Sequence, residues 1–307
     1  MFEKILIASD LSAASDSLVR CAAGLKRLGS REALLVHALC MRHYRDMRAV
    51  VEPMIEPRLR AQAEMLERAG FRAATEVLPG QACEEILRAA ARFEAGAIVM
   101  ATRSGSLAHD LLVGNTVLRV LGRAGKPVLV LQAREEDPHW TCCKQTGAWI
   151  GDHILHATDF SDAAELAFEY VRQLVSAGAS RVTLVHVQAP ERGHAAGWRA
   201  ESARIDAPRL ARLAEELRRS GAARVEALLR EGKPAEEILR AAGEEGATLI
   251  VMGAQGHGLM REVFLGSVSH EVLRHAPVPV LVMPARHAAP GAGAPSQVET
   301  APERRTP

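Results

Sequence analysis

The segment Glu84-Glu85-Ile86-Leu87-Arg88-Ala89-Ala90 recurs as Glu236-Glu237-Ile238-Leu239-Arg240-Ala241-Ala242, and each copy precedes a strand-like apolar run, a loop and a helical stretch. A chain that spells one supersecondary unit twice has to bury two equivalent cores. Other echoes stand in the same order. Ile5 to Ser9 ends in Asp10 as His153 to Thr158 ends in Asp159, and Leu35-Val36-His37-Ala38 is matched by Leu184-Val185-His186-Val187. At 307 residues the chain has room for two domains of the usual ~100 to 200 residues.

Within the first copy, short apolar runs alternate with helical stretches. Strands are predicted at Phe2 to Ser9, Ala33 to Leu39, Arg72 to Leu78, Ala95 to Ala101 and Pro127 to Leu131. Helices are predicted from about Ala13 to Leu28, Met47 to Ala69, from near Ala82, and from Asn115 to Leu121. Alternation of this kind implies an α/β fold, because parallel neighbours need a crossover and the helices then cover both faces of the sheet. Each final strand carries a proline near its start, in Lys126-Pro127-Val128-Leu129-Val130 and Val278-Pro279-Val280-Leu281-Val282. Proline suits a strand's first residue or a sheet edge. An exposed apolar edge is an aggregation hazard, so the two fifth strands are expected to pair with each other inside one chain.

Composition excludes several classes of function. Hydrophobic residues are 48% and charged residues 24%, and the net charge of +1 offers no field for nucleic acid or an anionic membrane. No apolar run approaches the ~18 residues of a membrane span, and the start lacks a basic segment leading into an apolar one, so a cytoplasmic location is the expectation. Five cysteines, Cys21, Cys40, Cys83, Cys142 and Cys143, do not resemble a secreted framework, and reduced thiols are expected. The domains are read as 1–135 and 151–286, joined by a linker at 136–150 and followed by an Ala-, Pro- and Gly-rich tail at 287–307 that is expected to be disordered.

The halves differ where chemistry would reside. After the apolar run Thr248 to Met252 comes Gly253-Ala254-Gln255-Gly256-His257-Gly258, and the loop closes on Gly266-Ser267-Val268-Ser269. The carboxyl ends of parallel strands are where open α/β sheets place ligands. Glycines here are expected to supply positive backbone angles and close approach, and the helix opening at Gly266 offers free amides and a positive dipole end to phosphate, aided by the Ser267 and Ser269 hydroxyls. A Walker loop is excluded because no lysine lies between Gly253 and Ser269, and a dinucleotide fingerprint fails at Arg261. The plainer reading is a tight connection with Ser267 as helix cap. The first copy has Ala101, Ser104 and Asn115 at the corresponding positions, and it is expected to keep the fold, with Asn115 as cap, while its pocket decays.

The spacing Gly-x2-Gly-x9-Gly-Ser, met by Gly253, Gly256, Gly266 and Ser267, together with Thr158-Asp159-Phe160-Ser161 and Val185-His186-Val187, resembles the universal stress protein family in its tandem two-domain form. That resemblance implies two Rossmann-like, five-stranded parallel sheets of order 3-2-1-4-5 packed as a pseudo-dimer, and an ATP-type nucleotide mainly in the second. By the same resemblance Ala157 and Thr158 line the adenine pocket, Asp159 faces base and ribose, and the Val187 backbone reads the adenine edge. Met252 and Gly253 flank the ribose, with Gly256, Gly266, Ser267, Val268 and Ser269 around the phosphates. The implied role is regulatory or protective under stress, with nucleotide ordering the 253–269 loop for protein partners of unknown identity; a homodimer of the tandem chain is open. The expectation is a non-enzyme, slow ATP hydrolysis being left open. A nucleotide-free scaffold or a nucleotidyl transferase are the rival readings, and the paired histidines of the latter are not found.

Other residues invite plainer readings. His37 and His186 occupy matching strand positions but have no second ligand at metal spacing, so no metal site is expected. His257, Arg261 and Arg103 are candidate phosphate contacts or solvated side chains. His139, Trp140, Cys142 and Cys143 cluster in the linker without a Cys-x-x-Cys spacing, and a structural role is preferred for them.

Overall fold

The computed structural model describes residues 2–40, 44–103, 113–133, 150–189, 196–256 and 265–284. The first half runs β1 (Lys4–Ala8), α1 (Ala13–Ala23), β2 (Glu32–Leu39), α2 (Tyr44–Arg68), β3 (Arg72–Pro79), α3 (Ala82–Arg92), β4 (Ala97–Arg103), α4 (Asn115–Arg123) and β5 (Val128–Ala133). The second half repeats the order with β6 (His153–Ala157), α5 (Asp162–Ser176), β7 (Arg181–Gln188), α6 (Ala196–Arg219), β8 (Arg224–Glu231), α7 (Pro234–Glu244), β9 (Leu249–Gly253), α8 (Ser267–His275) and β10 (Val280–Met283). The predicted helix from Ala13 to Leu28 is in fact divided. Gly24 passes the chain into a 3-10 segment, Gly24–Leu28, which Gly29 closes at φ 89°, a conformation glycine adopts without steric cost.

Ten strands form one sheet in the order β3-β2-β1-β4-β5-β10-β9-β6-β7-β8. Each half has the 3-2-1-4-5 order, and every neighbouring pair is parallel except the seam. There β5 and β10 run antiparallel, with Val280 opposite Val130, Leu281 opposite Leu129 and Val282 opposite Val128. The expected pairing of the two fifth strands is therefore present. Pro127 and Pro279 stand just before the strands, where the missing N–H costs no ladder bond, and their carbonyls accept from Ile98 and Ile250.

A core covers each face of the sheet, and both cores cross the seam. Leu129, Leu131, Leu281 and Met283 belong to one, and Val128, Val130, Val280 and Val282 to the other. The two copies are thus packed as one body. The repeated Glu85 and Glu237 fold back against Gly80 (φ 139°) and Gly232 (φ 144°), where an added Cβ would meet the carboxylates at 2.8 and 2.9 Å. This accounts for a glycine five residues before the second glutamate in each copy. Among the described residues no helix is long and apolar enough to cross a membrane.

Two features depart from the sequence expectations or were invisible to them. Cys21, buried in α1, is disulfide-bonded, which corrects the expectation of reduced thiols throughout, while Cys40 and Cys83 are free. Residues 136–149 of the linker, with Cys142 and Cys143, and the tail lie outside the described residues, while Ile150, read as the linker's last residue, is buried in the core.

His156 is the other. It stands on β6 where the first copy has Ile7, is fully buried, donates from Nδ1 to the Val251 carbonyl at 3.1 Å, and leaves Nε2 without a partner. Burial, the dominant cause, lowers its pKa to about 4. The unfolded chain binds a proton near pH 6.5 while the native state resists it until about pH 4, so acid favours unfolding across that window. The loss reaches about 3 kcal/mol at the lower end. His156→Ile is expected to raise stability at pH 7 by about 1 kcal/mol, by removing the orphaned nitrogen, and to flatten the decline from pH 6.5 to 4. Urea titrations at pH 7 and pH 4.5 check this; an unchanged pH slope would sink it.

Candidate functional site

At the carboxyl end of β6 the chain must leave the sheet and start α5 within a few residues. Phe160 makes the turn in the left-handed region at φ 62°, and Leu11 does the same in the first copy. A bulky residue there costs on the order of 1–2 kcal/mol. The turn is held by local bonds: the Phe160 N–H donates to Thr158 Oγ1 at 3.0 Å, and Ser161 donates to Asp159 Oδ1 from its N–H at 3.1 Å and its hydroxyl at 2.6 Å. Ser161 also caps α5, accepting from the Ala164 N–H at 3.4 Å. Behind the turn, His186 donates from Nδ1 to the Thr158 carbonyl at 2.8 Å, its Nε2 lies 3.3 Å from Asp206, and its ring packs on Phe160. His37 makes the matching bond to the Ser9 carbonyl. Both histidines fasten a strand to this turn. No group of three potential metal-ligating side chains exists among the described residues.

A cavity of about 500 Å³ opens over the ends of β6, β7 and β9. Ala157, Thr158, Asp159, Val187, Met252, Gly253, Gly256, Gly266, Ser267, Val268 and Ser269 all line it, so the eleven nominated residues, drawn from four separated segments, share one space. The volume is within the range of small-molecule sites. Ala164, Val185, Pro234, Ile238 and Gln255 complete the wall and were not nominated. Four of them lie in or beside segments singled out in the sequence: Val185 and Gln255 within the quoted motifs, Ile238 in the repeated segment and Pro234 just before it.

Of the two uses expected of the glycines, positive backbone angles and close approach, the structure shows the second. None of Gly253, Gly256 and Gly266 has a positive φ, so backbone handedness does not explain them. Close approach does. A Cβ on Gly253 would fall 2.8 Å from the Ala163 Cβ and 2.9 Å from its carbonyl carbon, so this glycine lets α5 pack against β9. A Cβ on Gly256 would fall 2.2 Å from Asp159 Oδ2, so this one makes room for the carboxylate. At Gly266 the nearest atom is the Ala254 carbonyl oxygen, 3.3 Å away.

The start of α8 is held by its neighbours and left open to the cavity. Gly266 is the N-cap and no side chain caps the helix, so Ser267 is not the cap of the plainer reading. The Gly266 N–H donates to the Ala254 carbonyl at 2.8 Å, and the buried Ser269 hydroxyl lies 3.1 Å from the Gly253 carbonyl and 2.9 Å from that of Ala254. In this structure the Ser269 hydroxyl therefore ties the start of α8 to the end of β9. The first amides of α8 have no intrahelical acceptor, and they border the cavity.

The first half also keeps a cavity in spite of its altered loop residues. A cavity of about 430 Å³ occupies the equivalent place, lined by Ala8, Ser9, Asp10, Val36, Ala38, Ile86, Met100, Ala101 and Gly114 among others. Gly114, not Asn115, is the N-cap of α4, and no side chain caps that helix either. Ser104, His257, Gly258, Arg261, the linker's His139 and Trp140, and the side chain of Arg103 lie outside what the structure describes.

The sequence profile of the universal stress protein family matches residues 1–132 and again 151–284. A universal stress protein from Thermus aquaticus is 39% identical over 133 residues, covering 42% of this chain and 96% of its own length. One from Methanocaldococcus jannaschii is 29% identical over 150 residues, covering 42% and 93%. The crystal structure of a universal stress protein from Archaeoglobus fulgidus superimposes with a TM-score of 0.72 at 25% identity, covering 92% of this chain and 99% of that one. Two profile matches in series on two copies of a 3-2-1-4-5 sheet mean that the chain belongs to the universal stress protein family.

Proposed function

We propose that the second half binds an ATP-type adenine nucleotide and that the protein is a stress-response regulator, not an enzyme. The observation that carries this reading is the start of α8, which no side chain caps, set at one end of a cavity with a largely apolar wall opposite. Ala157, Val185, Val187, Ile238 and Met252 suit a flat base. Asp159, beside Gly256, suits ribose hydroxyls, and the amides of Ser267 and Val268 suit phosphate oxygens. Among the described lining residues Asp159 is the one titratable group, so no acid–base pair stands ready for phosphoryl chemistry. Nucleotide occupancy would then act by changing the surface that protein partners read, in a cytoplasmic setting.

Denaturing freshly purified protein and identifying the released small molecule by mass tests the assignment, followed by calorimetric titration of ATP. An adenine nucleotide released from the protein and saturable ATP binding that depends on the second half are expected; complete absence of both leaves a nucleotide-free interaction protein. Ser269→Ala adds a graded check. Releasing the α8 start from the two carbonyls is expected to lower stability by about 1 kcal/mol and ATP affinity by about tenfold. An affinity equal to wild type would mean that the amides need no such support.

A further inference from the structure

We propose that the first half carries a second ligand site, which takes a purine nucleoside without a phosphate chain. The existence of the site stands on its own cavity; the purine class rests on the reading of the second half given above. The apolar wall is kept position by position, with Ala8, Val36, Ala38, Ile86 and Met100 standing where the second half has Ala157, Val185, Val187, Ile238 and Met252. The turn that presents the carboxylate is kept too, including the left-handed residue after Asp10. Ser15 adds a polar group where the second half has Ala164. Its hydroxyl is buried, donates to Asp10 Oδ1 at 2.6 Å and accepts from the Asp10 N–H at 3.1 Å, while Ser12 donates to the same oxygen from its N–H at 3.0 Å. Four local bonds, counting the Ser12 hydroxyl, thus hold Asp10 in place to receive ligand hydroxyls.

The opposite end is rebuilt. β9 ends at Gly253, and the chain turns there to meet the start of α8, whereas β4 continues two residues further, pairing Thr102 with Gln132 and Arg103 with Ala133. Ala101 brings a methyl group to the position of Gly253. Val117 replaces Ser269 and has no hydroxyl to bind the strand-end carbonyls. α4 still begins with an uncapped glycine, so its amides alone do not separate the halves. What separates them is the clamp that holds α8 against β9, and the turn beneath it, which the first half replaces with strand. A base and its ribose retain their walls, while a polyphosphate loses its cradle.

Met100 and Met252 occupy equivalent positions in the two cavities, which allows each to be watched in the intact chain. Full-length protein labelled with 13C at the methionine methyls would be titrated with adenosine, AMP and ATP, the signals being assigned with Met100→Leu and Met252→Leu. Adenosine is expected to shift the Met100 methyl with an affinity at least tenfold above that of ATP at the same probe, with AMP between or equal to adenosine. A Met100 signal unmoved by millimolar adenosine, or an affinity there that climbs from adenosine through AMP to ATP, overturns the proposal. Failure of ATP to move Met252 would instead strike the reading of the second half, so the two failures are separable. As a second route, Ala38→Trp, with its fold confirmed by circular dichroism, should remove adenosine binding at Met100 and leave ATP binding at Met252 within about twofold.

Discussion

Gly256→Leu and Gly266→Tyr are each expected to reduce ATP affinity of the second half by at least about a hundredfold, equivalent to about 3 kcal/mol, with the fold retained. At Gly256 the first side-chain carbon would sit 2.2 Å from Asp159 Oδ2, so any substitution moves the carboxylate off its position in the cavity wall. At Gly266 the backbone, φ −68° and ψ 155°, is open to every residue, and a Cβ comes no nearer than 3.3 Å to its closest neighbour. That contact is tight and asks the Ala254 carbonyl to shift by a few tenths of an ångström, while the tyrosine ring acts by occupying the space above the α8 amides. Gly253→Ala supplies the contrast. Its Cβ would collide with Ala163 at 2.8 Å, and the expected effect is a general destabilisation of about 2 kcal/mol as α5 is pushed from β9. Calorimetry and thermal melts on the three variants separate loss of the site from loss of packing. Near-wild-type ATP affinity in Gly256→Leu would remove the second cavity from consideration as the nucleotide site.

Leu129→Asp is expected to destabilise the whole chain by about 4 kcal/mol or more. Leu129 is 3% exposed and faces Leu281 across the antiparallel seam, so the carboxylate would be buried beside apolar side chains from both halves. Because the cores on both faces of the sheet run through this seam, wild type is expected to melt in one transition, and the variant to lower it as a unit. Differential scanning calorimetry decides the matter. A variant trace in which the first half melts early and the second half keeps its wild-type midpoint would show that the seam does not couple the copies.

Much of this was readable before any coordinates. The duplicated Glu-Glu-Ile-Leu-Arg-Ala-Ala segment and the strand–helix alternation led to two parallel sheets, because periodicity reports which face of an element is buried. Pro127 and Pro279 pointed to the seam, since a residue without an N–H is tolerated at few places in a sheet. The Gly253 to Ser269 spacing and the segment after β6 picked out residues that line one cavity. The roles within that cavity were less legible. Gly253 and Gly256 were expected to supply positive backbone angles and close approach, and they are points of contact with Ala163 and Asp159, which are distant in sequence. Ser269 looked like a ligand donor and is held by two strand-end carbonyls.

By itself, then, the order of residues determined what depends on near neighbours, the strands and helices and their repetition, while the strand order followed from the family likeness. Tertiary structure alone decided the antiparallel register of the seam, the orphaned Nε2 of His156, the disulfide state of Cys21 and the survival of the first cavity. Those features depend on distances between groups tens to hundreds of residues apart, and hydrophobic period and local spacing carry no record of such distances.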